Sequence, residues 1–412
     1  MSSQRKATER VVVTGLGVVS AAGWGVESFH RALRSGTSAV GAFDRFDHAA
    51  QRTHVAGQVP PPPADFKRRH VRWNRLSNSD RFALFATEEA VAQAGLPGPF
   101  DGRRAGVFFG SSTAGLFETE SYFAELVHDP ASEPARGLLA SHLISAPAET
   151  VARHLKVVGP VETLSSACAS GTLAIEQALR SLRANEVDIA IVGGADCLCL
   201  TTYSGFNSLR AVDEQPCRPF RADRAGLSLG EGAAVLILET LAHASGRGAQ
   251  PLAEILGAGS TCDAGHMTAP HAEGLWSALA MERAIADADL QAGDVDFVNV
   301  HGTGTPLNDA AECAGLTRVF GARTPTLPLT ATKAVVGHLL GAAGLIAAVA
   351  AILGLIDREV HPTPGQGPVD PVLPVDLVFN SPRSMPEMNT AVSASLGFGG
   401  ANAAIVLGRW EQ

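Results

Sequence analysis

The chain has 412 residues, 46% of them hydrophobic and 18% charged, and carries a formal net charge of −9. This composition excludes a disordered chain, and the acidic balance argues against a dedicated nucleic-acid binder. Six cysteines without CxxC spacing exclude a disulfide scaffold and a cysteine-based zinc site. The longest late apolar run, Leu345–Ile356, is too short to span a membrane. We therefore expect a cytoplasmic protein without membrane or nucleic-acid partners.

Short apolar segments alternate with longer helical segments along the chain. The predicted strands are Arg10–Thr14, Ala105–Gly110, Ile189–Gly193, Ala233–Glu239, Phe297–His301 and Ala391–Ser395. The predicted helices are Asp80–Ala94, Ser170–Ala184, Gly274–Ala288 and Gly341–Asp357. The strands lack alternation of apolar and polar residues, which is typical of strands covered on both faces. The order of elements therefore predicts a layered α/β fold.

The two halves of the chain show a weak internal similarity. The segment SSACASG stands before a helix in the first half, and TATKAVVGHLLGAAG opens a helix in the second. A stretch of small and turn-forming residues, Ala242–Pro251, lies between the halves. We therefore expect two similar halves, residues 1–250 and 251–412, with one active site between them.

The GLGVVS run that starts at Gly15 follows a predicted strand, as a dinucleotide-binding fingerprint would. That fingerprint needs a third glycine, where this chain has Ser20, and an acidic residue at the end of a second strand. Asp44 and Asp47 do not end a strand. The run therefore favours a tight strand-to-helix turn over a nucleotide site.

Cys168 lies among small residues directly before a helix, in the segment TLSSACASGTLAIEQAL. The helix dipole lowers the pKa of such a thiol by about one unit at most, so a reactive cysteine needs a histidine nearby as well. The alternative is a buried structural cysteine, which is the interpretation we give to the other five.

Three further segments carry residues suited to chemistry. His301 follows a buried strand and begins HGTGTPLNDAAE, which offers two hydroxyls to a polar, extended ligand. Lys333 and His338 flank a turn that opens a helix rich in glycine and alanine. The loop SLGFGGANA, which contains Phe398, has free amides that can donate to an oxyanion. Each segment by itself also fits a purely structural role.

These motifs together resemble the β-ketoacyl-acyl carrier protein synthases, because they follow the order Cys168, His301, Lys333, His338 and Phe398 with these flanking residues. The likeness extends through GGAD, FRADRAGLSLGEGAAVLILE, DAGHMTAP and FGGANAAIVL. The family consists of condensing enzymes of the thiolase-fold superfamily, and the chain looks most like its elongating Cys-His-His branch. The resemblance implies two βαβαβαββ halves in a five-layered αβαβα arrangement.

The resemblance also implies a role for each matching residue. Cys168 matches the acyl-accepting nucleophile, and His301 and His338 match the histidines that drive decarboxylation of a malonyl extender. The backbone amides of Cys168 and Phe398 would form the oxyanion hole, and Phe398 would also gate the site. Further matches are Lys333, Asp309 and Glu312 behind the histidines, Thr303 and Thr305 along the phosphopantetheine arm, and Phe206 and Thr113 in the acyl pocket.

The implied reaction is a decarboxylative Claisen condensation of an acyl thioester with malonyl-acyl carrier protein. The resemblance implies no metal or redox cofactor, and the phosphopantetheine arrives attached to its carrier. The small side chain of Thr113 suggests a longer pocket, suited to polyene or long-chain substrates.

One position departs from the family pattern. Relatives usually carry a glutamate that pairs with the lysine, and this chain has Ala347 there. Lys333 must then rely on Asp309 or Glu312, or stay unpaired. A buried lysine without a partner would tend to lose its proton.

Two partners are expected. The basic residues Lys67, Arg68, Arg69, Arg72 and Arg75 fit either a solvated face or a docking surface for an acidic acyl carrier protein. The family dimerises edge to edge through a strand that should match Val187–Gly193. We therefore expect a homodimer or a heterodimer with a chain-length factor.

Two other functions remain open. A non-catalytic chain-length partner of a ketosynthase heterodimer typically lacks the nucleophilic cysteine, whereas this chain has Cys168. A thiolase that uses coenzyme A carries a second cysteine in the late glycine-rich loop, and SLGFGGANA contains none. An elongating ketosynthase of fatty-acid or type II polyketide synthesis is therefore the leading hypothesis.

Overall fold

Two groups of strands with the same internal order build one large sheet. The computed structural model describes residues 9–70, 73–96 and 98–411. The strands are β1 (Val11–Ser20), β2 (Gly23–Trp24), β3 (Gly41–Ala42), β4 (Val55–Ala56), β5 (Ala105–Gly110), β6 (Val161–Leu164), β7 (Ile189–Asp196), β8 (Gly232–Thr240), β9 (Ala253–Cys262), β10 (Phe297–Asn299), β11 (Pro328–Thr330), β12 (Glu359–Val360), β13 (Asp376–Leu377), β14 (Arg383–Ser384), β15 (Thr390–Leu396) and β16 (Ala401–Arg409). The helices are α1 (Val26–Ser35), α2 (Ala64–Arg69), α3 (Asn78–Gln93), α4 (Leu116–His128), α5 (Ala146–Leu155), α6 (Ser170–Arg183), α7 (Leu200–Ser208), α8 (Leu241–Gly246), α9 (Leu275–Asp287), α10 (Pro306–Phe320), α11 (Lys333–Val336) and α12 (Ala343–Asp357).

The strand order repeats between the two halves. It runs β1-β8-β7-β5-β6 in the first half and β9-β16-β15-β10-β11 in the second, where β13 is added at the edge. In each half the first two pairings are antiparallel and the next two are parallel. Three residue pairs between Val11–Val13 and Ala253–Ile255 join β1 to β9. The expected repeat is confirmed, and the boundary at residue 250 stays a prediction.

Two helices pack against each other between the halves of the sheet. Helix α6 contacts β5, β7 and β16, and helix α12 contacts β8, β15 and β16. Helices α3 and α5 cover the outer face of the first half, and α9 covers β9 and β16 with α10 beside it. This arrangement is the predicted αβαβα fold. The largest apolar cluster lies around α6 and α12.

The central position of α12 explains its composition. Residues Leu340–Asp357 are apolar enough to cross a membrane by length and composition, with a mean hydropathy of 2.2, but they are 89% buried inside the fold. A helix that is apolar on all sides is typical of the core of a large protein. We therefore interpret this segment as a core helix.

The GLGVVS run forms the second half of β1, so the predicted strand-to-helix turn is wrong. A Cβ atom at Gly15 would lie 2.1 Å from the carbonyl oxygen of Ala90, and one at Gly17 would lie 1.8 Å from that of Ala86. Both alanines belong to α3. The glycines therefore allow α3 to pack directly on the strand.

The strand predicted to pair across a dimer lies inside the sheet. Strand β7 pairs with β5 on one side and with β8 on the other, so Val187–Gly193 has no free edge and that prediction is wrong. Within the described residues, the first half of the sheet ends at β6. Val158 and Val161 at this edge are 74% and 41% exposed. An apolar, unpaired edge of this kind can pair with another chain.

Candidate active site

Cys168 lies in a sharp turn between β6 and α6. Ala167 has a φ of 47°, in the left-handed region, which its small side chain tolerates better than a branched one would. The Ser170 hydroxyl accepts a hydrogen bond from the Ser166 amide at 2.8 Å and donates one to the Ala167 carbonyl at 2.6 Å. This turn places the thiol, which is 5% exposed, at the N-terminus of a 14-residue helix.

The surroundings of Cys168 keep its thiol protonated at rest. Burial raises the thiol pKa, and the charge of Lys333 and the backbone amides of Phe398 and Cys168 oppose that rise without cancelling it. The expected lowering by the helix dipole is therefore outweighed by burial. The two amides that act on the sulfur are placed to donate to an oxyanion that forms next to it.

His301 follows β10, and buried side chains hold both its backbone and its ring. The Glu312 carboxylate accepts hydrogen bonds from the amides of His301 at 2.6 Å and Gly302 at 2.8 Å. Lys333 Nζ donates to the His301 carbonyl at 2.6 Å and lies 3.2 Å from Nδ1 of the same ring. Burial lowers the pKa of Lys333, and its interactions with Cys168 and Glu312 oppose that fall. With Lys333 as an ammonium group, which can only donate, Nδ1 accepts and the ring proton is on Nε2.

His338 adopts the same tautomer through a different contact. The Leu340 amide donates to His338 Nδ1 at 3.1 Å, so the ring proton is again on Nε2. This Nε2 is buried and has no hydrogen-bond partner among the described residues. A buried N–H without a partner costs free energy that a ligand oxygen can recover.

Both imidazoles are neutral and converge on the thiol. Burial lowers the pKa of His301 and His338 well below the ordinary value, and the charge of Lys333 lowers both further. The ring centroids are 5.6 Å apart with an angle of 86° between the planes. The Cys168 sulfur and one nitrogen from each ring lie within 4.8 Å of one another. One thioester oxygen can therefore accept from two N–H groups beside the nucleophile.

A cavity of about 250 Å³ contains this cluster. Its wall includes seven residues that the sequence singled out: Cys168, Phe206, His301, Thr303, Thr305, His338 and Phe398. The two threonine hydroxyls are 2.9 Å apart, and the two phenylalanine rings are stacked with centroids 5.4 Å apart. The fold thus gathers segments from both halves of the chain into one site.

The buried acids near Lys333 are occupied by other groups. Among the described residues, Lys333 forms no ion pair with a carboxylate within 4.0 Å. Asp309 accepts hydrogen bonds from the amides of Phe220 at 2.8 Å and Gly304 at 3.1 Å, and it lies 3.7 Å from Arg224. The direct partner of Lys333 is therefore the His301 carbonyl and ring, an arrangement that the sequence did not predict.

Two further positions that the sequence linked to Lys333 are Glu312 and Ala347. Burial raises the pKa of Glu312 to about 7, although the amides of Gly302 and His301 act in the opposite direction. Ala347 is buried, and its carbonyl accepts a hydrogen bond from Asn299 Nδ2 at 2.9 Å. The position where relatives carry the glutamate is therefore occupied by an alanine of the apolar helix α12. The hydrogen bond from Asn299 is accepted by the backbone of this alanine.

Thr113 lies outside the wall of the cavity. Its hydroxyl is 3.1 Å from Asp196 Oδ1 and 3.3 Å from the Cys197 carbonyl. The position expected to face the acyl pocket is therefore engaged in a buried polar cluster in this state of the protein.

Asp196 is a buried carboxylate that the sequence analysis missed. It accepts hydrogen bonds from the backbone amides of residues 112–114 and from the Gly341 amide at 2.6 Å. The carboxylate thus connects the loop after β5 to the turn that follows His338. Its position at the end of β7, in the sequence GGAD, was the available signal.

Four predicted docking residues are exposed: Lys67, Arg68, Arg69 and Arg75. Three of them occupy the last turn of α2, and Arg69 lies 3.5 Å from Glu88. The fifth, Arg72, lies outside the described residues. The described part of this surface is basic and accessible, and its role in docking stays a prediction.

A five-layered fold with a buried thiol, two N–H donors and two amides around one cavity defines a condensing enzyme of the thiolase type. The comparisons with known proteins identify the family. The Beta-ketoacyl synthase, N-terminal domain, matches residues 8–244, and the Beta-ketoacyl synthase, C-terminal domain, matches residues 252–366.

Individual relatives span almost the whole chain. The 3-oxoacyl-(acyl-carrier-protein) synthase 2 of Staphylococcus aureus is 32% identical over 410 residues, covering 98% of this chain and 99% of the relative. A putative polyketide beta-ketoacyl synthase 1 of Streptomyces halstedii is 35% identical over 415 residues, with 97% and 98% covered. The solved ishigamide ketosynthase/chain length factor structure has a TM-score of 0.91 at 33% identity, with 98% and 100% covered. The chain belongs to the beta-ketoacyl synthase family and is an acyltransferase of that family.

Proposed function

We propose that this chain is an elongating β-ketoacyl-acyl carrier protein synthase of fatty-acid or type II polyketide synthesis. The observation that carries the proposal is the convergence of Cys168, His301 and His338 within 4.8 Å in one cavity. The substrates are an acyl thioester and malonyl-acyl carrier protein, and the products are carbon dioxide and a β-ketoacyl-acyl carrier protein.

In the first step Cys168 attacks the carbonyl carbon of the acyl thioester. A bond forms between the Cys168 sulfur and this carbon, the bond to the pantetheine sulfur breaks, and the thiol proton leaves with the carrier thiol. The amides of Cys168 and Phe398 donate to the tetrahedral oxyanion. The charge of Lys333 favours the negative charge that develops on the attacking sulfur.

In the second step malonyl-acyl carrier protein loses carbon dioxide, and the electron pair of the broken bond moves onto its thioester oxygen as an enolate. The Nε2–H groups of His301 and His338 donate to this oxygen. Removing one such donor typically costs about 10²- to 10³-fold in rate. Because both rings are neutral, they stabilise the enolate without transferring a proton to it.

In the third step the enolate carbon attacks the acyl group on Cys168. The new carbon–carbon bond forms, the bond to the cysteine sulfur breaks, and the released thiolate takes up one proton from solvent. The cycle therefore consumes one proton and releases one molecule of carbon dioxide.

We assign Thr303 and Thr305 to the phosphopantetheine arm, since their adjacent hydroxyls line the same cavity as the thiol. The stacked rings of Phe206 and Phe398 are assigned to the entrance of the acyl pocket, where they must separate for a chain to enter. None of these steps needs a redox cofactor, and we propose that none uses a metal. The phosphopantetheine arrives attached to its carrier.

The partners follow from the exposed surfaces. We assign carrier docking to the exposed basic residues of α2 and Arg75, whose charge would speed encounter with an acidic carrier. Because a similar solved structure contains a ketosynthase and a chain length factor, we assign the β6 edge to pairing with a second chain, identical or not. The proposed location is the cytoplasm.

Substitution of Val161 by arginine tests the β6 interface. Charge on an edge strand opposes pairing, so we expect the sedimentation coefficient to fall to that of a monomer. Leu307→Arg, at another exposed apolar position, is the control. A dimer that survives Val161→Arg would contradict the assignment of the interface.

The first test of the function is intact-protein mass spectrometry with a panel of acyl-carrier thioesters. Wild-type protein should gain the mass of one acyl group, and Cys168→Ala should gain none. The preferred chain would identify the pathway. Failure of the wild type with every donor, alone and with a chain-length factor, would refute catalysis and favour a structural partner.

A further inference from the structure

A second group of metal-ligating side chains lies where helix α1 meets the end of α12. His30, Asp357 and His361 each offer one ligand atom, and these three atoms lie within 4.8 Å of one another. His30 Nε2 is 2.5 Å from Asp357 Oδ2, and His361 Nε2 is 3.7 Å from the same oxygen. Two imidazole nitrogens thus converge on one carboxylate oxygen.

The fold builds this group from two distant parts of the chain. Helix α12 ends at Asp357, and Arg358 adopts a left-handed conformation with a φ of 55°. The reversal of the chain there brings His361, which follows β12, back beside the end of the helix. His30 comes from α1 and lies 327 residues before Asp357 in the sequence.

His361 carries the observation that points to a ligand. Its side chain is 3% exposed, and its Nε2 has no hydrogen-bond partner among the described residues. Asp357 Oδ2 is beyond hydrogen-bond distance from this nitrogen, at 3.7 Å. A buried polar atom without a partner costs free energy, and an ion between His361 and Asp357 would recover it.

The distances suit a small shift onto a tetrahedral ion. Ligand atoms about 2.0–2.2 Å from a tetrahedral Zn²⁺ lie about 3.4 Å from each other. The 2.5 Å contact would have to open, and the 3.7 Å contact to close, by less than about 1 Å each. The two imidazole nitrogens, which lie within 4.8 Å of each other, would have to approach by less than about 1.5 Å. Two imidazoles and one carboxylate favour Zn²⁺ and similar transition metals over Mg²⁺ or Ca²⁺, which prefer oxygen ligands.

Charge and access also suit a cation. The Asp357 carboxylate is 17% exposed and faces both imidazoles. Arg34 lies 4.0 Å from Asp357 and closer, at 3.1 Å, to Glu359, which balances its charge. The His30 side chain is 27% exposed, so the group is accessible from solvent at this side chain.

We propose that His30, Asp357 and His361 bind one Zn²⁺-like transition-metal ion that joins α1 to the end of α12. Helix α12 has 15 residues and is therefore about 22 Å long, with its other end beside the His338 turn. The ion is thus too far away to take part in the condensation. Its effect is to stabilise the contact between an N-terminal helix and the central layer.

The test is zinc binding by full-length, chelator-treated protein in the Cys168→Ala background, because the thiol and the active-site histidines form another possible metal site. Competition with a zinc indicator should show one tight site per chain, and the midpoint of thermal unfolding should rise with Zn²⁺. Adding His30→Gln or His361→Gln should weaken binding by about 100-fold or more, since loss of an outer partner alone costs about 10- to 100-fold.

The matched control is His243→Gln, because His243 Nδ1 also lies beside a carboxylate, 2.6 Å from Glu239, and its side chain is 29% exposed. Binding must survive this change. His30 is partly exposed, so His30→Gln decides the question even if His361→Gln unfolds the protein. Absence of a tight site in Cys168→Ala, its survival in His30→Gln, or sulfur in the zinc X-ray absorption spectrum would overturn the proposal.

Discussion

Replacement of Lys333 by methionine separates its hydrogen bonds from the packing of its side chain. The Lys333 ammonium donates to the His301 carbonyl at 2.6 Å and lies 3.2 Å from Nδ1, which keeps the ring proton on Nε2. Methionine has a similar length but no donor, so Nδ1 can carry the proton and turn an acceptor toward the enolate oxygen. We therefore expect the main loss in decarboxylation.

The magnitude follows from one charge-assisted hydrogen bond. Such a bond contributes about 1.5–3 kcal/mol, which corresponds to roughly 10- to 150-fold in rate. The pH profile should change as well. Burial lowers the pKa of His301 first and the charge of Lys333 lowers it further, so removing that charge raises this pKa. The acid limb of the decarboxylation profile should then move to higher pH.

The assay follows carbon dioxide release from malonyl-acyl carrier protein, with acyl transfer to Cys168 measured separately by mass. Lys156→Met is the control, because Lys156 is an exposed lysine outside the cavity. A decrease of less than about threefold in folded Lys333→Met, which corresponds to under about 0.7 kcal/mol, would refute the reasoning. So would an acid limb that does not move.

Three further predictions concern the thiol, the Asp196 cluster and the docking surface. Burial raises the pKa of Cys168 above its ordinary value of 9.0, so alkylation of Cys168 by iodoacetamide should rise continuously with pH from 7 to 9, and a plateau below pH 8 would contradict this. Asp196→Asn replaces an acceptor of several buried amides with a group that also donates, so the free energy of urea unfolding should fall by about 3 kcal/mol or more. Asp188→Asn, which affects a surface ion pair with Arg104, should cost at most about 1 kcal/mol. Arg68→Glu should raise KM for the acyl carrier with kcat unchanged and weaken its salt dependence, whereas Arg31→Glu on α1 should change neither. A lower kcat at unchanged KM would argue against docking.

Local sequence was sufficient for the elements and for most of the site. Short apolar segments predicted the main strands and longer helix-patterned stretches predicted the main helices, because both signals depend on neighbours in the chain. The segments around Cys168, His301, His338 and Phe398 marked the cavity because their small residues and turns occur at the ends of those elements. These residues are indeed brought together around one cavity.

Other features depended on contacts between distant residues. The sequence analysis placed the dimer edge at Val187–Gly193, in the region of β7, and only the sheet partners show that β6 is the free edge. Gly15 became a packing position because α3 lies against it, and a sequence pattern does not specify which helix covers a strand.

The hydrogen-bond partners and tautomers of the site residues could be read only from the tertiary structure. The sequence left Lys333 either paired with Asp309 or Glu312 or unpaired, whereas the fold places it on His301. The tautomers depend on single donors, the Leu340 amide and the Lys333 ammonium, whose positions no spacing rule predicts. The sequence alone therefore identified most residues of the site. Their protonation and their hydrogen-bond partners were decided by the packing of the two halves against each other.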